Sequence, residues 1–191
     1  MRKSDFSRKT KETDVLVKVK LDSRGEADVN TGISYLDQML KTLATYSSIN
    51  ITVKATGDLY HHVIEDVALS VGECILKALN KHGGIHRFGF AIASANSSVA
   101  FAAIDLSKRP YVKINLKLKN DTIEDVSCED VCHFFESFGM ALRANLHLWL
   151  ECGFDTKNNI KAALKALALS LRGAVSVDPR RVGSPSSKGA L

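Results

Sequence analysis

Gly57-Asp58-Leu59-Tyr60-His61-His62-Val63-Ile64-Glu65-Asp66 is the stretch on which the reading of this chain turns. It follows Asn50 to Ala55, where apolar and polar residues alternate as in a half-buried strand. From about His61 to Asn80, Ile64, Val67, Ala68, Val71, Ile75 and Leu79 recur at helical spacing. The second half repeats the order. Leu146–Glu151 reads as a strand, Gly153-Phe154-Asp155 as a break, and Asn158 to Val175 as a helix. At the same spacing from Gly153, Lys157, Asn158 and Lys161 stand where the first copy has His61, His62 and Glu65. A shared order of strand, glycine and helix implies an internal duplication.

The flanking sequence fits the same plan. Val15 to Asp22 alternates as a strand, Ser23-Arg24-Gly25-Glu26 turns the chain, and Ala27 to Asn30 forms a second short strand. Ile33 to Tyr46 has helical spacing, and Lys81-His82-Gly83-Gly84 marks a break. Strands near Phe88–Ile92, Val99–Asp105 and Val112–Leu118 then lead to a helix around Glu129–Asn145. The expected class is α+β: two similar halves, 1–84 and 85–178, each a mostly antiparallel sheet with helices packed on one face. Residues 179–191, rich in Ser, Gly and basic residues, read as an irregular arm.

Composition narrows the function. A chain of 191 residues, 45% hydrophobic, can bury a sizeable core. No apolar run approaches the roughly 18 residues of a membrane span, and Met1-Arg2-Lys3-Ser4-Asp5 has no secretory character, so a cytoplasmic protein is expected. Cys74, Cys128, Cys132 and Cys152 are too few and too irregular for a disulfide framework and read as buried or partly buried thiols. The net charge of +5 permits an anionic partner, but with 7% aromatic residues and basic groups at the two ends a nucleic-acid surface is not expected.

His61 and Glu65 share a helix face, and His62 and Glu65 are neighbours one turn apart. Imidazoles with a carboxylate suit Mn, Fe or Zn. Adjacent histidines point about 100° apart on a helix, which suits two metals, or one metal and one substrate contact. A surface His-His pair beside a helix-start carboxylate is the plainer alternative. Arg87 between glycines, Arg109 after Asp105-Leu106-Ser107-Lys108, and Ser186-Ser187-Lys188-Gly189 supply the donors that a phosphate monoester needs.

With these motifs the chain resembles the imidazoleglycerol-phosphate dehydratase family along nearly its whole length. The matching segments are Arg8–Thr13, Thr31–Leu40, His61–Asp66, Gly84–Gly89, Asp105–Pro110, His133–Phe138, Leu146-His147 and Ser186–Gly189. The resemblance implies a duplicated α+β hydro-lyase of histidine biosynthesis that converts imidazole glycerol phosphate to imidazole acetol phosphate. It implies a homo-oligomer of 24 subunits with two manganese ions per site at subunit interfaces. By position it assigns Glu12 to acid/base chemistry and His61, His62, Glu65 and His147 to the metal. Arg87, Arg109, Lys165, Ser186 and Lys188 take the substrate phosphate.

The chain departs from the family pattern mainly at metal and acid/base positions. Gln38 and Tyr46 stand where histidines are usual, Lys157, Asn158 and Lys161 replace a second His-His-x-x-Glu, and Asn96-Ser97 replaces an Asp-Glu. The first motif is also shortened between Asp58 and His61. The expected manganese content therefore ranges from two ions to none. Two readings stay open: an active dehydratase with an altered centre, and a non-catalytic homologue. The second would bind a phosphorylated ligand or serve as a structural subunit, alone or mixed with a sister chain.

Overall fold

The strand Thr13–Lys20 (β2) buries every second side chain, with Val15, Val17 and Val19 inward and Asp14, Leu16, Lys18 and Lys20 outward. Such alternation specifies one sheet face and one register. It pairs antiparallel with Asn50–Gly57 (β4) on one side and with Lys3–Lys9 (β1) on the other. Ala27–Asn30 (β3) adds parallel to β4, giving the order β1-β2-β4-β3. The helices Ser34–Ser47 (α1) and Tyr60–Leu79 (α2) cover the inner face of this sheet.

The second half repeats the topology strand for strand. Phe88–Ala95 (β5), Ser98–Asp105 (β6), Tyr111–Asn115 (β7) and Asn145–Cys152 (β10) form a sheet of order β5-β6-β10-β7, with β7 parallel to β10. Cys128–Ala141 (α3) and Thr156–Val175 (α4) cover its inner face. Between β7 and α3 lies a small hairpin, Thr122–Ile123 (β8) and Val126–Ser127 (β9). The α+β class, the duplication and the sheets with helices on one face are all present. The computed structural model describes residues 2–79, 83–119, 121–181, 183, 185 and 186. No helix among the described residues is long and apolar enough to cross a membrane.

Helices of one half pack on helices of the other, α2 against α3 and α1 against α4, so the helical layers lie between the two sheets. Gly89 on β5 allows the closest approach: a Cβ there would lie 1.8 Å from the Ser170 carbonyl oxygen on α4. The outer sheet faces differ in character. The first presents Asp14, Lys18, Lys20 and Lys54, whereas the second exposes Phe88, Phe90, Ile92 and Tyr111 beside a stacked Phe101–Trp149 pair.

Several expectations need correction. β1 and the β8–β9 hairpin were not foreseen, and β7 stops at Asn115 rather than running to Leu118. Cys74 and Cys128 are buried and Cys132 is half-buried, but Cys152 is exposed, at the point where the β10 register slips against β6.

Candidate functional site

α2 begins directly after β4, and its first turn brings the predicted imidazoles to the surface beside the start of β2. His61 Nδ1 donates to Asp130 Oδ1 of α3 at 2.7 Å, and its Nε2 lies 3.9 Å from Glu65. His62 Nδ1 donates to Asp58 Oδ1 at 2.8 Å and lies 3.9 Å from Glu12. Each imidazole is thus oriented through Nδ1 by a carboxylate, which leaves Nε2 available, the arrangement typical of metal-ligating histidines. The hydrogen bond to Asp58 raises the His62 pKa above its usual range and holds the Asp58 carboxyl below its own. Burial works to raise the Asp130 pKa, but hydrogen bonds from His61 and Ser127 bring it below the normal value.

The cluster rests on Asp66, one residue beyond Glu65. Its buried carboxylate accepts from the Thr13 hydroxyl of β2 and, at 2.7 Å, from Arg8 Nε of β1. Glu12 sits between those two anchors, and its carbonyl accepts from the Asp58 backbone N–H at 3.1 Å. The His61 and His62 rings are 5.9 Å apart and tilted by 59°. They open in different directions, and no three His, Cys, Asp or Glu side chains among the described residues converge on one point. The donor types fit a divalent metal, but one copy supplies only part of a shell.

The other predicted residues fall elsewhere. His147 projects from the outer face of β10, its ring 5.5 Å from that of Tyr111. Arg87 is buried in a bidentate pair with Asp105 (2.6 and 2.9 Å), and its Nη1 donates to the Pro185 carbonyl at 2.8 Å. It thereby ties the arm carrying Ser186 to the second sheet. Arg109 is exposed in the loop leading to β7. Lys188 lies outside the described residues.

Lys165 donates from Nζ to the Ser94 carbonyl at 2.9 Å, with the ammonium 5.5 Å from the Tyr46 ring. Register separates this lysine from the arginines. Asp105, and hence Arg87, is level with Asn145, whereas Ser94 and Val99 are level with Cys152. The two ends are roughly 20–25 Å apart at strand rise. Helices α3 and α4 start at the Lys165 end, and His61 with them. One copy therefore carries the His61–His62–Glu65–Glu12 cluster and Lys165 at one end, and Arg87, Arg109, Ser186 and His147 at the other.

Sequence reasoning missed Asp130, His133 and Glu124. The His133 ring meets His61 edge-on at 5.5 Å. Its signal was the family-matching segment His133–Phe138, from which no role for the imidazole was read; burial raises the pKa of the neighbouring Cys128 and Cys132 thiols. The duplication gives His133 a counterpart. The buried series Phe134, Phe135, Phe138, Gly139 of α3 matches Met39, Leu40, Leu43, Ala44 of α1, so His133 corresponds to Gln38, as His61 corresponds to Lys157. At this counterpart position Lys157 Nζ pairs with Glu124 Oε1 at 2.5 Å, and Gln38 Nε2 donates to Glu124 Oε2 at 3.0 Å. Asp125, beside it at the hairpin tip, caps α1 by accepting from the N–H groups of Ser34 (2.7 Å) and Tyr35 (3.0 Å).

A duplicated α+β scaffold thus carries a carboxylate-oriented histidine pair at a helix start, with donor types that could hold a divalent metal. The sequence profile of the imidazoleglycerol-phosphate dehydratases matches residues 31–171. The chain is 40% identical to the imidazoleglycerol-phosphate dehydratase of Cereibacter sphaeroides, covering all of both chains. It is 41% identical to the chloroplastic enzyme 1 of Arabidopsis thaliana, over 98% of this chain and 71% of that one. Its fold is similar to that of the Pyrococcus furiosus dehydratase (TM-score 0.85, 30% identity, 97% of this chain and 100% of that one). It is similar too to the Staphylococcus aureus enzyme (TM-score 0.84, 25% identity, 92% and 99%). The chain belongs to the imidazoleglycerol-phosphate dehydratase family.

Proposed function

We propose that the chain is a hydro-lyase of histidine biosynthesis, working in the cytoplasm, that removes water from imidazole glycerol phosphate to give imidazole acetol phosphate. One observation carries this reading: His61 and His62 are each held through Nδ1 by a carboxylate, with Nε2 available and Glu12 within 3.9 Å of His62. Manganese would be held by His61, His62, Glu65 and the His147 of another copy, and when bound it supplies Lewis-acid polarisation of the substrate's imidazole ring. Glu12 moves the proton at the carbon next to that ring. Asp58 and Asp130 fix the imidazole orientations.

The phosphate is met by Arg109, Ser186 and Lys188, with Arg87 steadying the arm through Asp105 and the Pro185 carbonyl. Lys165 sits at the far end of the sheet, with the histidines. A complete site on this reading needs two copies, the arginine end of one against the histidine end of another. That contact is head-to-tail, and such contacts close into rings where the rotation between successive copies closes. The exposed apolar face of the second sheet also suits burial between copies. A large homo-oligomer follows.

A second reading, a non-catalytic homologue that binds a phosphorylated ligand, is favoured by the Lys157–Glu124 pair at the counterpart of His61. Metal analysis, light scattering and a dehydration assay on the purified protein with added manganese separate the two. Bound manganese with turnover in a large particle is expected. No metal and no turnover would overturn the enzyme reading.

A further inference from the structure

The counterpart of the histidine cluster opens onto a cleft of about 280 Å³ between α1 and α4. Tyr35, Met39 and Leu164 form its apolar wall, and Lys41, Lys157 and Lys161 bring three ammonium groups to it. The Glu124 carboxylate is held there by Lys157 and by the Gln38 amide, and Asp155, which caps the start of α4, lies near the Tyr35 wall. Among the described residues, neither Lys41 nor Lys161 pairs with an acidic group. We propose that this cleft is a binding site for a compact tetrahedral oxyanion, either inorganic phosphate or a small phosphate monoester.

Four features support it. The volume of about 280 Å³ falls just below the roughly 300 to 1,000 Å³ of ligand pockets, so the occupant is small. Lysine ammoniums are rotatable point charges that can close around a tetrahedral anion from several sides. Lys157 lies in the first turn of α4, where the helix dipole disfavours a cation, and Lys157, Lys161 and Lys165 follow one another at i,i+4, where like charges repel. A bound anion relieves both strains. Finally, Glu124 already places an anion of the chain's own at the mouth of the cleft, accepting from one of its lysines and from Gln38. Burial, reinforced by Glu124, keeps the Tyr35 hydroxyl protonated far above neutral pH, so it remains a donor. Within one copy this site lies at the opposite end from Arg87, Arg109 and Ser186, and anion binding there does not depend on turnover.

Calorimetric titration of the full-length protein with inorganic phosphate, and separately with glycerol phosphate, at constant ionic strength tests the proposal. The wild type should bind saturably. Lys41→Gln/Lys161→Gln should bind about tenfold more weakly or worse, and Lys41→Arg/Lys161→Arg should restore affinity. Arg109→Gln should keep this binding. Glu124→Gln, which removes the competing carboxylate, should bind severalfold more tightly, a gain that mere loss of structure would not produce. Equal affinity for the two ligands means the site reads the oxyanion alone; a preference for the monoester adds the apolar wall. All these lysines are exposed, and matched thermal melts establish that the variants fold. Absence of saturable binding, loss confined to Arg109→Gln, or unchanged affinity in Glu124→Gln would overturn the proposal.

Discussion

Asp66→Ala tests the support beneath the histidine cluster. Asp66 is 7% exposed and receives two hydrogen bonds, from a Thr13 hydroxyl that is itself 4% exposed and from an Arg8 side chain that is 42% exposed. A buried bond to a charged group contributes about 1.5–3 kcal/mol, and its loss leaves the Thr13 hydroxyl unsatisfied. Solvent screening reduces the half-exposed Arg8 pair to roughly 0.5–1 kcal/mol. Together these give about 2–4 kcal/mol, and at roughly 2–4 °C per kcal/mol for a chain of this size the melting temperature should fall by about 5–15 °C. Thermal unfolding followed by circular dichroism at fixed protein concentration reads the shift directly. Thr13→Val should reproduce the larger part of it, and Arg8→Gln the smaller. In the double variant Thr13→Val/Asp66→Ala the two losses should add to less than their sum, because both remove the same bond. If Asp66→Ala melts within about 2 °C of the wild type, Asp66 does not anchor β1 and β2 to α2, and the scale of the loss assigned to a buried charged bond is wrong here.

Three further outcomes follow from the same structure. In the metal-free protein, NMR titration should give His62 a pKa above its ordinary value, and Asp58→Asn should return it toward that value. Because the folded value is raised, the stabilisation from this pair is complete below the unfolded pKa of about 6.5 and is lost as pH rises through the folded one; identical midpoints in the two proteins would refute the pairing. A thiol reagent at pH 8 should label Cys152 first and leave Cys74, whose thiol burial pushes up to about 11, unmodified until the protein unfolds. Gly89→Ala should abolish or severely impair folding, since the added carbon meets the Ser170 carbonyl. Gly32→Ala, with open space but a φ of +76°, should lose only about 1–2 kcal/mol in denaturant melts.

The sequence revealed those parts of the fold that periodicity encodes. Val15, Val17 and Val19 mark β2, and Ile64, Val67, Ala68 and Val71 mark α2, because each must bury one face. β1 escaped because Lys3-Ser4-Asp5-Phe6-Ser7-Arg8-Lys9 contains a single apolar residue; its order comes from backbone pairing with β2, as expected of a charged edge strand. The β8–β9 hairpin, with strands of two residues, is too short for any pattern. At the site, His61, His62 and Glu65 were legible as a local motif on one helix. Asp130 was not, since 69 residues separate it from His61 and only the packing of α3 on α2 joins them. Nor could spacing reveal that Lys165 and Arg87 stand at opposite ends of one sheet, a fact of strand register.

The packing of each half's helices on those of the other carries an evolutionary consequence. A half-length ancestor with this topology would leave the faces of both its helices bare, and would bury them only by pairing with its own twin. Fusion of two such genes preserves the shared interior and abolishes the obligation of symmetry, since a change at one site is no longer copied at the other. The chain records that freedom in its two corresponding helix starts, imidazoles at one and ammonium groups at the other.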